Sequence, residues 1–480
     1  MNKKYKAIIK KIIPVHRHEI VKFSCVSLLI LLIVYVHSVL HIAKDVLIIS
    51  HLGTEAISAI ELCAVLPISL VFMFIYIKLS DKLTRSGLFH AMNWFFISYF
   101  VIFALVLYPN RYALSINISD VVILRLPYLK HLFKIISNWH YCLFYVFAQS
   151  WVTIMLAISF WQTANHITTL EESKRFYPLF GAATSFGLLL ACVLSKFFVV
   201  SGADWQPTLN SLTISIVIAG MALSLCLIAL EKIIGTEFFN LKKGHFKTKI
   251  SFKESLRYIA SSQPILLITS LLLCYNISIN LIEGVWKKSV EVLFNSNANL
   301  IHQFMSNVNI YIAVLSMLFA FIGVYTLQSC KWRTSALITP IVAIITGSMF
   351  FLFMVLKDAP FLLALQTSVL AIAVCFGAIN NIFFRATKYT LFDSTKEMVY
   401  IPLDDDLQTK GKAAAETVGV KFGKAGGSLL QQMLLALFPA LTLLDLSPII
   451  SVMFLVVLLW WLYSTVALSS YLKHTGNRRL

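Results

Sequence analysis

The run FSCVSLLILLIVYVHSVLHIAKDVLII, residues 23–49, decides the fold class of this chain. It is longer than the stretch of about 20 apolar residues that a helix needs to cross a bilayer. Comparable runs recur along all 480 residues, of which 59% are hydrophobic and 13% charged. Soluble domains carry about 25% charged residues. The composition therefore predicts a membrane protein and excludes soluble enzymes, disordered proteins and nucleic-acid-binding modules as first interpretations.

Length and hydropathy predict an all-α membrane protein with about twelve transmembrane helices. The predicted spans cover residues 23–49, 56–78, 88–109, 138–166, 176–200, 209–231, 264–292, 303–328, 333–356, 360–390, 412–440 and 447–470. They form an N-terminal half, residues 1–231, and a C-terminal half, residues 264–480, joined by a basic linker, residues 232–263. Two halves of six helices around a basic loop are typical of major-facilitator-like transporters.

The positive charge predicts the orientation of the chain in the membrane. The formal net charge is +18. If the N-terminus is cytoplasmic, most of the 40 Lys and Arg residues fall in the termini and in the cytoplasmic connections. Because Lys and Arg are enriched on the cytoplasmic side, both termini are predicted to be cytoplasmic. We also expect the basic loops to bind anionic lipids.

Two sequence features argue against disulfides or a metal site and against a cleavable signal peptide. The eight cysteines are scattered singly and form no CxxC pair, so neither a disulfide framework nor a metal site is expected. Residues 1–22 are rich in lysine, and the apolar run that follows is too long for the core of a cleavable signal peptide.

The first predicted span carries a polar face. His37, His41 and Lys44 follow i, i+4, i+7, and Asp45 comes directly after Lys44. A charge at the bilayer centre costs about 2.5–3.5 kcal/mol, so such residues usually face a cavity. Lys44 and Asp45 could instead lie at the outer interface, but the apolar run 46–49 that follows favours a deeper position.

The seventh predicted span, in the equivalent position of the second half, has a matching polar face. Asn280, Glu283 and Lys287 follow i, i+3, i+7, and Glu283 can pair with Lys287. A buried structural ion pair is the alternative interpretation. Because two equivalent spans each carry a lysine and a carboxylate, a central binding site is favoured.

Three further groups of polar residues leave alternatives open. Gln149 shares a helix face with Tyr145, either in a site or in a helix–helix contact. Lys388 and its neighbour Arg385 either line a site or extend to the interface. The remaining candidates are Lys421 and Lys424, next to Gly419 and Gly423.

The run around these glycines does not match a phosphate-binding loop. Its spacing is GxxxGK, one residue short, and no Ser or Thr follows the lysine. Gly419 and Gly423 are therefore interpreted as a close helix-packing face. Several lysines with few acids predict a cavity for a polyanionic substrate of phosphate type. Aromatic residues at this level are expected to pack, with base stacking as the alternative: Tyr145, Trp151, Tyr275 and Trp286.

The segment KYTLFDSTKEMVYIPLD, residues 388–404, is followed by KGKAA at 410–414 and GKAGG at 423–427. This combination, with AKD at 43–45 and NLIEGVWK at 280–287, resembles the nucleotide transporter (ATP/ADP translocase) family of intracellular bacteria and plastids. The resemblance runs along most of the chain. It implies a twelve-helix antiporter, not an enzyme, that often exchanges ATP for ADP. It also implies that Lys44, Glu283 and one of Lys388, Lys421 and Lys424 carry important charges.

The resemblance further implies a multi-pass protein in the inner membrane of an obligate intracellular bacterium, with a plastid envelope as the alternative. Two departures leave the nucleotide pair open: Gln149 stands where ATP/ADP exchangers usually have Glu, and His41 where they commonly have Arg. Nucleotide–proton symport and exchange of NAD for a nucleotide are alternatives within the family. A membrane receptor or structural protein is the alternative from another class.

We expect nucleotides as partners, no cofactor, no metal, no nucleic acid and a monomeric chain. Exchange is expected to be obligate, because an empty cavity with several unpaired lysines would be costly to occlude at low dielectric.

Overall fold

The computed structural model describes residues 15–200, 204–235, 257, 259–357, 366–400, 403–404, 407 and 411–474. Within these residues the chain is mostly helical, and no strand is found among them. Its long helices are α1 Ile20–His51, α2 Glu55–Ser80, α3 Arg85–Leu107, α4 Trp139–Ile167, α5 Leu170–Phe198, α6 Gln206–Ile234, α7 Gln263–Leu293, α8 Ala298–Ser329, α9 Trp332–Leu356, α10 Val369–Tyr400, α11 Lys412–Leu437 and α12 Ser447–His474.

Eleven of these helices are long and apolar enough to cross a membrane. The exception is α11, which has 26 residues but carries Lys412, Glu416, Lys421 and Lys424 in its N-terminal half. Its length suffices to span the hydrocarbon core at about 1.5 Å per residue. The prediction of an all-α membrane protein with about twelve helices is confirmed.

The turn after α1 fixes how the first two helices meet. Gly53 has a φ of +88°, a conformation that glycine adopts without steric cost. A Cβ atom at this position would also lie 3.2 Å from Oε2 of Glu55. The tight turn therefore places Thr54 and Glu55 directly at the end of the bundle where α1 stops.

The set of helices α1–α6 contacts the set α7–α12 through a few pairs of helices. Helix α5 packs against α8, α1 packs against α7 and α8, and α11 packs against the first turns of α2. The predicted linker, residues 232–263, lies mostly outside the described residues, as do residues 1–14 and 475–480. The division into halves and the cytoplasmic termini stay predictions.

The glycines of α11 let its backbone approach α7 closely. A Cβ atom at Gly419, Gly423 or Gly427 would lie 2.5–2.7 Å from a Cβ atom on α7. The partners are Leu272, Asn276 and Asn280. The predicted packing face of Gly419 and Gly423 is confirmed, and it presses α11 against the polar face of α7.

Two π-helical segments interrupt the α-helices close to charged residues. One covers Glu61–Val65 in α2, and the other covers Lys388–Phe392 in α10. Such segments insert an extra residue into a turn and occur frequently at functional sites. Each of these two begins with a charged residue that lies inside a membrane-spanning helix.

Candidate functional site

The centre of the site is a carboxylate shared by two lysines. Lys44 and Asp45 are buried in α1, with 3% and 4% of their surfaces exposed. Lys44 Nζ donates a hydrogen bond of 2.7 Å to Asp45 Oδ1. Lys287 Nζ from α7 lies 3.0 Å from Asp45 Oδ2. The predicted central lysines thus meet on one acid, one from each set of six helices.

A second carboxylate extends this arrangement on α7. Glu283 Oε2 lies 3.6 Å from Lys287 Nζ, which confirms the predicted i, i+4 pair. The guanidinium of Arg385, from α10, donates to the other oxygen of Glu283. Arg385 therefore lies in the centre and does not extend to the interface. Below, the central charge cluster means Lys44, Asp45, Glu283, Lys287 and Arg385.

The expectation of unpaired lysines with few compensating acids is wrong for this cluster. Both lysines and Arg385 contact carboxylates. Burying an unpaired charge would be far more costly than burying a paired one. The pattern of charges along single helices does not show the pairs that form between helices.

Glu61 is a functional candidate that was not predicted from the sequence. Its Oε1 accepts a hydrogen bond of 3.2 Å from the hydroxyl of Tyr145. Its Oε2 accepts from Asn280 Nδ2 at 3.3 Å and from Ser428 Oγ at 3.0 Å. Lys44 Nζ lies 3.9 Å from the centroid of the Tyr145 ring, so Glu61 adjoins the central charge cluster. A carboxylate within the predicted span 56–78 was the signal that could have identified it.

The structure places three further predicted site residues as follows. Asn280 donates to Glu61 and accepts a hydrogen bond of 3.0 Å from Gln431 Nε2. Gln149 is half-buried in α4, one turn from Tyr145. His41 is half-buried, and its ring lies 5.7 Å from that of His37.

A small cavity adjoins the cluster between α1, α7, α8 and α10. The space that water can enter is about 20 Å³. That volume holds about one water molecule, so binding of a larger substrate requires the helices to separate. The polar residues that line the cavity are His41, Asp45, Glu283, Lys287, Asn309, Asn381 and Arg385.

The other predicted lysines lie apart from the cluster. Lys388 Nζ pairs with Asp393 at 2.9 Å. Lys421 and Lys424 are exposed on α11. Lys424 is nevertheless close enough to His37 to act on it electrostatically, as Arg385 also is. The exposed face of α11 thus continues the positive charge from the cluster towards the end of the bundle where α1 begins.

The four aromatic residues at this level are buried. Tyr145 and Trp151 have no exposed surface, and Trp286 and Tyr275 expose 3% and 9%. The indole nitrogens of Trp151 and Trp286 donate to the backbone carbonyls of Ile33 and Val374. These contacts favour the packing interpretation over base stacking.

The two sets of six helices are tied together at the end where α1 stops, called the closed end below. There Lys288 Nζ lies 3.2 Å from Glu55, and Thr54 Oγ1 donates to Glu291 at 2.7 Å. Gln432 Nε2 also donates to Ser58 Oγ at 2.7 Å. Each of these bonds joins a residue of α1–α6 or its loops to one of α7–α12. An outward movement at this end must break them.

The opposite end carries ion pairs within each set of helices. Arg175 pairs with Glu19 at 2.6 Å, and Lys396 pairs with Glu416 at 2.5 Å. The hydrogen bond from Arg175 lowers the pKa of Glu19 to about 2. Bonds of this kind do not resist separation of the two sets. If the N-terminus is cytoplasmic as predicted, the closed end is the external one.

Comparison with known proteins decides the family. The profile of the TLC ATP/ADP transporter family matches residues 1–471 of this chain. The chain belongs to this family. Its membership confirms the resemblance found in the sequence and the prediction of a multi-pass membrane transporter.

Relatives within the TLC family match over nearly the whole chain. The "ADP,ATP carrier protein 3" of Rickettsia bellii is 36% identical and aligns with 96% of each chain. The "ADP,ATP carrier protein 4" of Rickettsia conorii is 34% identical over 96% of this chain and 94% of its own length.

Solved transporter structures share the fold at low sequence identity. A bacterial homologue of the iron transporter ferroportin, in an inward-facing state, has a TM-score of 0.63 at 12% identity, covering 93% of this chain and 98% of its own. A nucleoside transporter has a TM-score of 0.57 at 13% identity, covering 93% of this chain and 99% of its own. These likenesses confirm the major-facilitator-like architecture predicted from the sequence.

Proposed function

We propose that this TLC family member exchanges nucleotides across a bacterial inner membrane and binds their phosphates at the central charge cluster. The main observation that supports the proposal is the position of Asp45. This buried carboxylate forms ion pairs with Lys44 and Lys287, which come from opposite sets of helices. The Asp45 carboxylate pairs with both ammonium groups, as a phosphate group would. The names of the relatives, ADP,ATP carriers, are consistent with a nucleotide substrate.

Phosphate groups compete with carboxylates for the same cations. Phosphate oxygens accept strong charge-assisted hydrogen bonds, and arginine can bind two of them at once. A nucleotide entering the cluster would displace Asp45 from Lys287 and Glu283 from Arg385. Its phosphates would then bridge α1 to α7 and α10 in place of these ion pairs. Alternating access follows if the two sets of helices rock around this bridge.

The remaining predicted residues have supporting roles in this proposal. Asn280, Gln149 and His41 would shape the cavity next to the cluster. The lysines Lys388, Lys421 and Lys424 would attract the anion from the end where α1 begins. We also propose that the chain acts as a monomer and that its basic loops contact anionic lipids.

Nucleotide–proton symport is the second candidate. Glu61 favours it, because its carboxylate is held by three neutral donors, Tyr145, Asn280 and Ser428. Carboxylates inside membrane spans are the groups from which proton-coupled transporters commonly build their proton paths.

The test uses proteoliposomes that contain the purified full-length chain. Uptake of labelled ATP, ADP, other nucleotides and NAD is measured with and without internal nucleotide, and with and without a proton gradient. Exchange predicts strong stimulation by internal nucleotide and little effect of the gradient. Symport predicts uptake into empty vesicles driven by protons and lost in Glu61→Gln. A protein that moves none of these compounds would refute both candidates.

A further inference from the structure

A short loop helix, Lys130–Ser137, lies at the closed end. It packs against the first turns of α2, next to the bonds that join the two sets of helices. Lys134 Nζ donates to the carbonyl oxygen of Leu52, at the end of α1. Lys130 Nζ donates to the carbonyl oxygen of Pro439, in the loop after α11. The loop helix therefore connects both sets of helices through lysine side chains.

In the sequence, His131 lies between Lys130 and Lys134. It exposes 6% of its surface, and neither ring nitrogen has a hydrogen-bond partner in the part of the chain that the structure describes. Burial, together with the charges of Lys130, Lys134 and Lys288, lowers the pKa of His131 to about 4. The ring is therefore neutral at pH 7 and has one N–H donor available. An unsatisfied buried donor costs about 1–3 kcal/mol, so an anion that accepts a hydrogen bond from this ring would be stabilised here.

The lysines at this end differ in what holds them. Lys288 is matched by two carboxylates, Glu55 at 3.2 Å and Glu291 at 2.8 Å. Lys130 and Lys134 instead bond to backbone carbonyl oxygens. A neutral carbonyl is a weaker acceptor for an ammonium group than a phosphate oxygen. These two lysines can therefore exchange their present acceptors for an anion at a gain in free energy.

We propose that Lys130, His131 and Lys134 form a second anion-binding site, which takes the phosphate chain of a nucleotide at the closed end before the substrate reaches the central charge cluster. The proposal rests on the proposed nucleotide exchange and adds a place where the substrate first binds. It also links binding to opening: a phosphate that recruits Lys130 removes its bond to Pro439, one of the contacts that hold the two sets of helices together.

The kinetic test measures exchange from each face of the membrane separately. Lys130→Gln and Lys134→Gln should each raise the KM for ATP or ADP at the face of the closed end by about fivefold, with kcat unchanged, as expected for loss of a partly exposed charge contact. The KM at the other face should not change. Lys134→Arg should restore the KM. Lys196→Gln serves as the matched control, because Lys196 is an exposed lysine near the same end, in the last turn of α5.

A binding test separates this site from transport. Inorganic tripolyphosphate is added to purified Lys44→Met, in which the central charge cluster is impaired, and the shift in melting temperature is recorded. The shift should persist in Lys44→Met and be clearly smaller, at the same tripolyphosphate concentration, in Lys44→Met/Lys134→Gln. If the wild type transports no nucleotide but the shift depends on Lys134, the proposed function fails while the anion site stands.

Three results would overturn the proposal. They are an unchanged KM in both glutamine variants, an equal rise in KM at both faces, and a tripolyphosphate shift that is as large in Lys44→Met/Lys134→Gln as in Lys44→Met. An equal rise at both faces would show that Lys134 only stabilises the end of α1, where a cation near the last carbonyls is favourable.

Discussion

Replacing Lys44 by methionine tests whether the central charge cluster binds substrate. Lys44 makes a buried 2.7 Å ion pair with Asp45, and Asp45 keeps Lys287 as a second partner 3.0 Å away. A charge-assisted hydrogen bond contributes about 1.5–3 kcal/mol. If Lys44 binds a phosphate, the affinity for nucleotide should fall about tenfold to a hundredfold in Lys44→Met. The assay is initial exchange in proteoliposomes over a range of nucleotide concentrations.

The double variant Lys44→Met/Asp45→Asn distinguishes binding from a purely structural role. Removing one member of a buried pair is destabilising, whereas replacing both by neutral groups is often tolerated. If the pair only stabilises the fold, the double variant should recover exchange along with its melting temperature. If Lys44 contacts phosphate, stability should recover while affinity stays low. Recovery of full affinity in the double variant would refute the substrate-binding role. Lys473→Met, an exposed lysine at the end of α12, is the control.

Three further predictions concern the framework around the site. Gly423→Val should destabilise the protein by about 1–3 kcal/mol or more through overpacking, because a Cβ atom there would lie 2.6 Å from α7. Gly426→Val should be tolerated, because the nearest atom to a Cβ there is 3.8 Å away. Melting temperatures in detergent measure both effects. Glu19→Gln should lower the melting temperature at pH 7, and its difference from the wild type should shrink as pH falls from about 4.5 to about 2. The reason is that the lowered pKa of Glu19 makes its stabilisation present above that range and lost below it. A difference in melting temperature that is independent of pH would contradict the ion pair. Accessibility tags at residues 1, 245 and 480 should all be cytoplasmic, and an external tag at any of them would contradict the orientation.

The sequence predicted the helices well because a bilayer leaves few alternatives for long apolar segments. It also predicted the polar faces of α1 and α7, since residues three, four and seven apart share one side of a helix. The glycine face of α11 was visible for the same reason, although the charges of α11 lower its hydropathy.

Sequence patterns could not predict the ion pairs that form between different helices. Spacing shows which residues share a face but not which faces meet, so the contacts of Asp45 with Lys287 and of Arg385 with Glu283 could not be predicted. Glu61 was missed because a single carboxylate in an apolar run has no periodic partner. Its role becomes visible only where α2, α4, α7 and α11 converge.

The charge balance of the cluster changes the physical reason for exchange. An empty site with unpaired lysines would be costly to occlude, and this cost alone would make return of the empty carrier slow. In the structure Lys44 and Lys287 are paired, so that cost is absent. In the proposed mechanism the ion pair between Asp45 and Lys287 has the opposite role: it joins the two sets of helices and would hold the empty carrier in one arrangement. In that mechanism a bound nucleotide would replace this bond, whereas an empty carrier has nothing to replace it with.

The variant Asp45→Asn separates these two explanations because they predict opposite signs. If the ion pair locks the empty carrier, Asp45→Asn removes the lock, and uptake into vesicles without internal nucleotide should rise relative to exchange. If unpaired lysines are what prevents empty return, Asp45→Asn creates them, and dependence on internal nucleotide should become stricter. The measurement is the ratio of uptake with and without internal nucleotide at zero proton gradient, with Asp45→Glu as the control that keeps the charge. A higher ratio in Asp45→Asn than in the wild type would refute the lock.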